Sequence, residues 1–137
     1  MRKTLLSLVT VTSLISLGLS YPQAGKVGTV AWYSTEACKN PACLTASGRS
    51  LYALEAQKIS FIATYHYPVG ALVKVVNVSN GKGAFAIVAD RGPHPRLRRI
   101  ADVSKATAAL IGFDLRKGLT TATITLVPME GSIHDYL

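Results

Sequence analysis

The chain has 137 residues, which is enough for one domain around a single hydrophobic core. Its 15 lysines and arginines outnumber 7 aspartates and glutamates, so the formal net charge is +8. In an exported protein, a basic charge favours an anionic surface, such as cell-wall polymers, anionic lipid headgroups or extracellular polysaccharide, over nucleic acid. We therefore expect one domain that does not bind nucleic acid.

The N-terminal segment has the composition of a signal peptide. Arg2 and Lys3 open it, residues 5–19 are apolar and free of acids, and small residues close it. A membrane anchor is the alternative, but the run is short for a bilayer span and polar residues interrupt it. Removal of residues 1–20 lowers the net charge from +8 to +6, because they hold two cations and no acid. No cysteine follows the run before Cys38, so we expect a periplasmic or secreted protein that is not lipid-anchored.

The two cysteines lie close together in the stretch "ACKNPAC". In an oxidising compartment this spacing favours a small loop closed by a disulfide between Cys38 and Cys43, with Pro41 helping the chain to reverse. A metal site is the alternative, but there is no second cysteine pair and the nearest histidine is His66. We predict no metal and no other cofactor.

The first predicted strand follows the signal segment, because apolar and polar residues alternate over residues 27–34. Residues 35–50 are rich in cysteine, proline, glycine and serine, and they are predicted to form a loop. The pattern over residues 51–63 fits a short helical turn leading into a strand only loosely, so its type stays open.

A β-hairpin is the clearest local signal. Two β-branched runs, residues 69–78 and 84–89, flank Asn80-Gly81, which tolerates the positive φ of a tight turn. A short helix is then predicted between Ser104, which can cap it, and Gly112, which can end it.

A closing strand is predicted over residues 121–126, where threonines alternate with apolar side chains. Residues 129–137 show no period and are expected to be a loose tail. Several short strands with turn residues between them suggest one closed β-barrel domain, from about residue 25 to residue 128.

Five stretches, in this order along the chain, resemble landmarks of the rare-lipoprotein-A-like family: "GTVAWYS", "LTASGRSLY", "YPVGALVKVVNVSNGKGAFAIVADRGPHP", "RIADVSKATAALIG" and "TATITLV". The most specific part is the Asn-Gly hairpin that leads to Asp-Arg-Gly-Pro and then to Asp-x-Ser before an alanine-rich helix. The resemblance implies a mainly β fold: a six-stranded double-psi β-barrel with one or two short helices, related to the barwin and expansin barrels.

The resemblance also implies action on peptidoglycan. Members of the family studied as enzymes are lytic transglycosylases, which break the bond between N-acetylmuramic acid and N-acetylglucosamine without water and leave a 1,6-anhydro ring. One carboxylic acid protonates the leaving oxygen and then accepts a proton from the sugar's own hydroxyl, so a raised pKa suits it. A second carboxylate can raise that pKa or stabilise the developing positive charge.

The family's functional residues carry over incompletely. Both aspartates match, at Asp90 and Asp102. The glutamate that follows Ala-Ser-Gly in catalytic members is replaced by Arg49, and the family's histidine aligns with Thr64. A guanidinium would lower the pKa of a neighbouring carboxyl group, which opposes general-acid catalysis but suits the binding of carboxylates. The Arg-Gly-Pro stretch adds Arg91 to this binding group.

Two residues are candidates to replace the missing groups. His66 lies two residues beyond Thr64 and would face the same way on a strand, and Glu55 is the only nearby carboxylate in a stretch longer than the family's. We therefore predict catalytic roles for three residues (Asp90, Glu55 and His66) and substrate-binding roles for four (Arg49, Arg91, Asp102 and Thr64).

Each of these residues also has a structural interpretation. Asp90 can be a turn aspartate, Asp102 a helix-start residue, and His66 and Glu55 can be solvated surface groups. The arginines at 91, 96, 98 and 99 can form a solvated face, and the aromatic residues can fill the core rather than stack on sugars.

Two further functions remain open beside transglycosylase activity. A non-catalytic module that binds or loosens the cell wall would use the same groove without bond cleavage, and Arg49 favours it. A secreted basic factor that acts on a partner or host polymer is the third. In each case we expect a monomer.

Overall fold

The computed structural model describes residues 25–128. Six strands form a closed barrel in the order β1-β5-β2-β4-β3-β6. Their bounds are β1 Lys26–Tyr33, β2 Phe61–Ala63, β3 Leu72–Asn77, β4 Gly83–Asp90, β5 Ala101–Ser104 and β6 Leu119–Leu126. The pairs β1/β5 and β2/β4 are parallel, and the other four pairs are antiparallel. The mainly β class and the six-stranded barrel predicted from the sequence are confirmed.

Two short helices lie outside the sheet, as the resemblance implied. They are α1 Leu51–Ala56 and α2 Lys105–Leu110. The segment 51–63, whose type the sequence left open, contains α1 and then β2. Short 3-10 turns occupy Thr35–Ala37, Pro95–Leu97 and Leu115–Lys117.

The strongest sequence signals are confirmed. β3 and β4 pair as an antiparallel hairpin around residues 80–81, and Gly81 has the positive φ, 73°, that the turn requires. Ser104 caps α2, because its side chain accepts a hydrogen bond from the Thr107 backbone N–H. The predicted signal peptide, residues 1–20, and the predicted loose tail, residues 129–137, lie outside the described residues.

Two apolar clusters hold the barrel and its helices together. The barrel interior is filled by fully buried β-branched side chains from every strand, including Val30, Ile62, Val73, Val75, Val88, Val103 and Ile124. A second cluster, Leu51, Leu54, Phe61 and Ala89, seats α1 against the outside of β2 and β4. Alternation along each strand therefore sends one set of side chains into the core and the other set to the outer face.

The predicted disulfide is present. Cys38 and Cys43 are bonded across a Cα–Cα distance of 5.6 Å, and the Cys43 backbone N–H donates to the Asn40 side chain at 2.7 Å. The bridge closes the loop between β1 and α1.

No helix within residues 25–128 is both long enough and apolar enough to span a membrane.

Candidate functional site

One row of residues crosses four neighbouring strands and sets the geometry of the site. Asp102 of β5 pairs with Ala31 of β1 on one side and with Ala63 of β2 on the other, and Ala63 pairs in turn with Asp90 of β4. Two strand spacings separate the aspartates, so their Cα atoms are about 10 Å apart. The two carboxyl groups flank an alanine, whose side chain leaves the space between them open.

A β-bulge brings Asp90 into this row. Ile62 pairs with Val88, but the next residue, Ala63, pairs with Asp90, so Ala89 is skipped. The core residue Val88 points into the barrel, and without the bulge Asp90 would follow it inward. The bulge therefore turns the Asp90 side chain to the outer face, where Ala63 lies.

The two aspartates share an open groove of about 370 Å³. Its lining comprises Tyr33, Ala37, Ala63, Tyr65, Asp90, Arg91, Gly92, Pro93, His94 and Asp102. Gly92 has a φ of 141°, a conformation in which residues other than glycine are strained. The Asp-Arg-Gly-Pro turn thus forms one wall of the groove.

Three hydrogen bonds fix the Asp90 carboxylate. Its Oδ1 accepts from the backbone N–H groups of Ala46 and Arg91, each at 2.9 Å, and its Oδ2 accepts from the Tyr33 hydroxyl at 3.3 Å. Burial raises the pKa of the Tyr33 hydroxyl, and the Asp90 charge adds to the effect, so Tyr33 remains a donor. Asp90 is at once a turn aspartate and a groove residue.

The Asp102 carboxyl group pairs with the Arg99 side chain and does not cap a helix. Arg99 donates from Nη2 to Oδ2 at 3.2 Å, and its Nε lies 3.0 Å from Oδ1. That second contact is poorly aligned, and within the described residues neither Nε nor Oδ1 has a hydrogen-bond partner. Burial raises the pKa of Asp102, although Arg99 opposes the rise. The helix-start role falls to Ser104 instead.

Arg49 and Glu55 lie outside the groove. The Arg49 Nη2 donates to the Gln57 side chain at 3.3 Å, on an exposed surface. Glu55 accepts from the Thr35 backbone N–H at 2.9 Å and lies 3.8 Å from the Lys105 Nζ. Burial acts to raise the pKa of Glu55, but the Thr35 hydrogen bond and Lys105 outweigh it and lower the pKa. Glu55 therefore lies outside the groove and lacks the raised pKa that suits a general acid.

Thr64 and His66 do not face the same way. Thr64 is fully buried, with its hydroxyl donating to the Ile100 carbonyl at 2.8 Å, whereas His66 is exposed. The expected alternation fails because β2 ends at Ala63, before either residue. His66 does not line the groove, and partial burial together with the charge of Lys26 lowers its pKa.

Arg91 ties two walls of the groove together. Its Nη1 donates to the backbone carbonyls of Thr64, at 2.9 Å, and Tyr67, at 2.6 Å. The guanidinium thereby anchors the loop after β2 to the turn that carries Asp90. Its remaining N–H groups stay available at the rim of the groove.

Two groove residues, His94 and Tyr65, are not among the site residues predicted from the sequence. His94 caps the turn Pro95–Leu97, because its Nδ1 accepts from the Arg96 backbone N–H at 3.2 Å. Tyr65 lines the groove with an exposed side chain. Their closeness to Asp90 depends on how two loops fold together, and no local sequence pattern reports that.

Within residues 25–128, no cluster of three or more histidine, cysteine, aspartate or glutamate side chains is placed to hold a metal ion. The groove itself presents the Asp90 and Asp102 carboxyl groups, two tyrosine side chains, the His94 imidazole and the Arg91 guanidinium.

No protein-family model matches the chain. An endolytic peptidoglycan transglycosylase RlpA from Rickettsia felis is 40% identical over 63 residues, which cover 46% of this chain and 27% of that protein. An enzyme of the same name from Rickettsia typhi is also 40% identical over 63 residues. Over these 63 residues the chain is similar to RlpA. The chain spans only about a quarter or less of the length of these curated relatives.

Solved structures with a similar fold support the barrel architecture. An expansin from Clavibacter michiganensis superposes with a TM-score of 0.57 at 16% identity, covering 79% of this chain and 52% of the expansin. Cerato-platanin 3 from M. perniciosa gives a TM-score of 0.51 at 12% identity, with coverages of 75% and 95%. At these identities the likeness concerns the fold alone.

Proposed function

We propose that the chain acts on peptidoglycan, whose glycan strands bind in the groove over Ala63 between Asp90 and Asp102. The observation that carries this proposal is the placement of two carboxyl groups on opposite sides of one small residue, in an open groove of an RlpA-like barrel. The Rickettsia enzymes to which the chain is similar are named as peptidoglycan transglycosylases, and the basic charge of the chain suits the anionic groups of this polymer.

The reaction that best fits the groove is lytic transglycosylation. Asp102, whose pKa is raised by burial, donates its proton to the glycosidic oxygen as the bond to the muramic acid C1 breaks. The C6 hydroxyl of the same sugar then attacks C1 and closes the anhydro ring, and Asp102 takes up the hydroxyl proton. No water is consumed, and the acid returns to its starting state.

Asp90 takes the second role in this scheme. Its carboxylate is fixed by three donors and lies across Ala63 from Asp102, where it can stabilise the positive charge that develops on the sugar ring. Tyr65 offers an exposed ring for stacking on a sugar face, and Arg91 offers N–H groups for lactyl or peptide carboxylates. Four of the site residues predicted from the sequence take no part in this scheme, namely Glu55, His66, Thr64 and Arg49.

A non-catalytic wall-binding function is the second candidate, and one observation favours it. Arg99 lies 3.0 Å from the Asp102 carboxyl group, and a paired guanidinium opposes the protonated form that an acid catalyst needs. Arg49 stands where catalytic members of the family have glutamate. In this function the same groove holds the glycan without cleaving it.

Export to the periplasm or the medium belongs to either function, because the polymer lies outside the cytoplasm. The formed disulfide agrees with an oxidising compartment. We propose that the exported protein works as a monomer.

The test is mass spectrometry of the soluble products after the protein without its predicted signal peptide is incubated with purified peptidoglycan sacculi. Anhydro-muropeptides from the wild type, but not from Asp90→Asn or Asp102→Asn, would support the enzyme. Asp114→Asn changes a partly exposed aspartate that pairs with Arg116 outside the groove, and this matched control should cleave normally. Intact sacculi that still bind the protein would support the binding module, and neither cleavage nor binding would refute both.

A further inference from the structure

Tyr33 also lines a second cavity, which lies between α1 and α2 and has a volume of about 580 Å³. Sites for small ligands have volumes of roughly 300 to 1,000 Å³, so this cavity is large enough to hold one. Neither Asp90 nor Asp102 lines it. It is therefore separate from the groove in which we place the glycan.

The walls of this cavity are apolar. They comprise Leu51, Ile59 and Phe61 on one side and Ala106, Ala109 and Leu110 of α2 on the other. Leu110 is 57% exposed and does not lie on the buried face of α2. Two alanines on the cavity side of α2 leave the space that a larger side chain would fill. An apolar surface of this kind favours an apolar ligand.

The charged residues at the cavity leave one cation without an acidic partner. Both Glu55 oxygens are engaged, one by the Thr35 backbone N–H and the other by Lys105. Lys105 also lies 3.5 Å from Glu36. Lys58 has no acidic group within salt-bridge distance among residues 25–128. The charge available to a ligand is therefore positive, and it is that of Lys58.

The backbone at Lys58 is also unusual. Its φ is 53°, at the position after a helix where glycine or asparagine is preferred. A lysine there costs backbone strain, and the strained conformation places its side chain in the lining of the cavity.

We propose that this cavity is a second binding site, for a small amphipathic carboxylate. The apolar part of the ligand packs between α1 and α2, and its carboxylate binds the Lys58 ammonium group. The inference rests on the cavity alone and does not depend on what the aspartate groove binds.

Decanoate is the probe for the apolar part of the proposal. We expect saturable 1:1 binding in calorimetry below about 1 mM, which corresponds to about −4 kcal/mol, with amide NMR shifts centred on residues 106–110. Ala106→Leu fills the cavity with a good helix former and should abolish binding. Ala56→Leu, on an exposed α1 position outside the cavity, is the matched control and should bind like the wild type.

The charge is tested by changing the protein and the probe. Lys58→Gln should weaken decanoate binding roughly fivefold, as expected for a partly solvated ion pair, whereas Lys74→Gln, exposed on β3 and outside the cavity lining, should not. Decyltrimethylammonium should bind far more weakly than decanoate. No decanoate binding, full binding by Ala106→Leu, or equal binding of the cationic probe would each overturn the proposal. Asp90→Asn should bind decanoate normally, so failure of the proposed function would leave this result unaffected.

Discussion

The pairing of Arg99 with Asp102 predicts a stability effect that depends on pH. Arg99→Gln removes the guanidinium and leaves the Asp102 carboxyl group in a site where only 15% of its side-chain surface is exposed. The pKa of Asp102 is already raised by burial, and loss of Arg99 raises it further. A carboxyl group whose folded-state pKa exceeds its unfolded value costs stability once the pH rises above the unfolded value.

The size of the effect follows from the geometry. At 3.0 Å, two unit charges attract by about 1 kcal/mol in bulk water and by about 5 kcal/mol at an effective dielectric constant of about 20. Because both side chains keep some solvent contact and Arg99 regains hydration when unpaired, we expect a net loss of about 2 kcal/mol at pH 7. At pH 4 a larger fraction of the carboxyl group is protonated than at pH 7, and the loss should fall below about 1 kcal/mol.

Urea denaturation of the wild type, Arg99→Gln and the double variant Arg99→Gln/Asp102→Asn at both pH values measures this effect. The double variant has no ionisable group at position 102, so it should not show the additional loss of stability that Arg99→Gln shows at pH 7 compared with pH 4. A loss of stability in Arg99→Gln that is equal at the two pH values would refute the assignment of the effect to the Asp102 charge.

Three further outcomes are expected. Replacing both Cys38 and Cys43 with serine should lower the free energy of unfolding by about 2 kcal/mol, the value expected for so short a closed loop. Equal stability of the variant and the wild type in urea denaturation would contradict this. Gly92→Ala should lower the free energy of unfolding by about 1 to 3 kcal/mol, because alanine is strained at a φ of 141°. The added methyl group has space beside Ala63, so no steric clash contributes. An unchanged melting temperature would contradict this. Replacing the exposed Arg96 and Arg98 with glutamine should weaken pelleting with sacculi and reduce its salt dependence, and an unchanged salt series would exclude this patch.

Local signals in the sequence were sufficient for much of the fold. The Asn-Gly turn predicts the hairpin of β3 and β4, because few residues tolerate its backbone angles. Ser104 predicts the start of α2 for a similar reason, since its side chain satisfies a free N–H group. The structure of segment 51–63 was not predictable from its sequence pattern. One short helix and one three-residue strand follow each other there, and neither is long enough to show a clear hydrophobic periodicity.

The site was harder to predict because it depends on strand register. The family motifs identify Asp90 and Asp102 as candidates, but the bulge that skips Ala89 and turns Asp90 outward has no local signature. The position of Glu55 in the chain makes it a candidate, but in the fold it contacts Thr35 and Lys105. Thr64 aligns with the family's histidine, yet it is buried beyond the end of β2 at Ala63.

The central claim is that glycan binds across Ala63 between the two aspartates. Its most direct test is an amide NMR titration of the Asp90→Asn variant, which should bind without turnover, with soluble peptidoglycan glycan strands. We predict the largest shifts at residues 63, 65, 90–92, 94 and 102, with little change at residues 106–110 in the separate cavity. Shifts centred on another face of the barrel, or none at saturating glycan, would contradict the account.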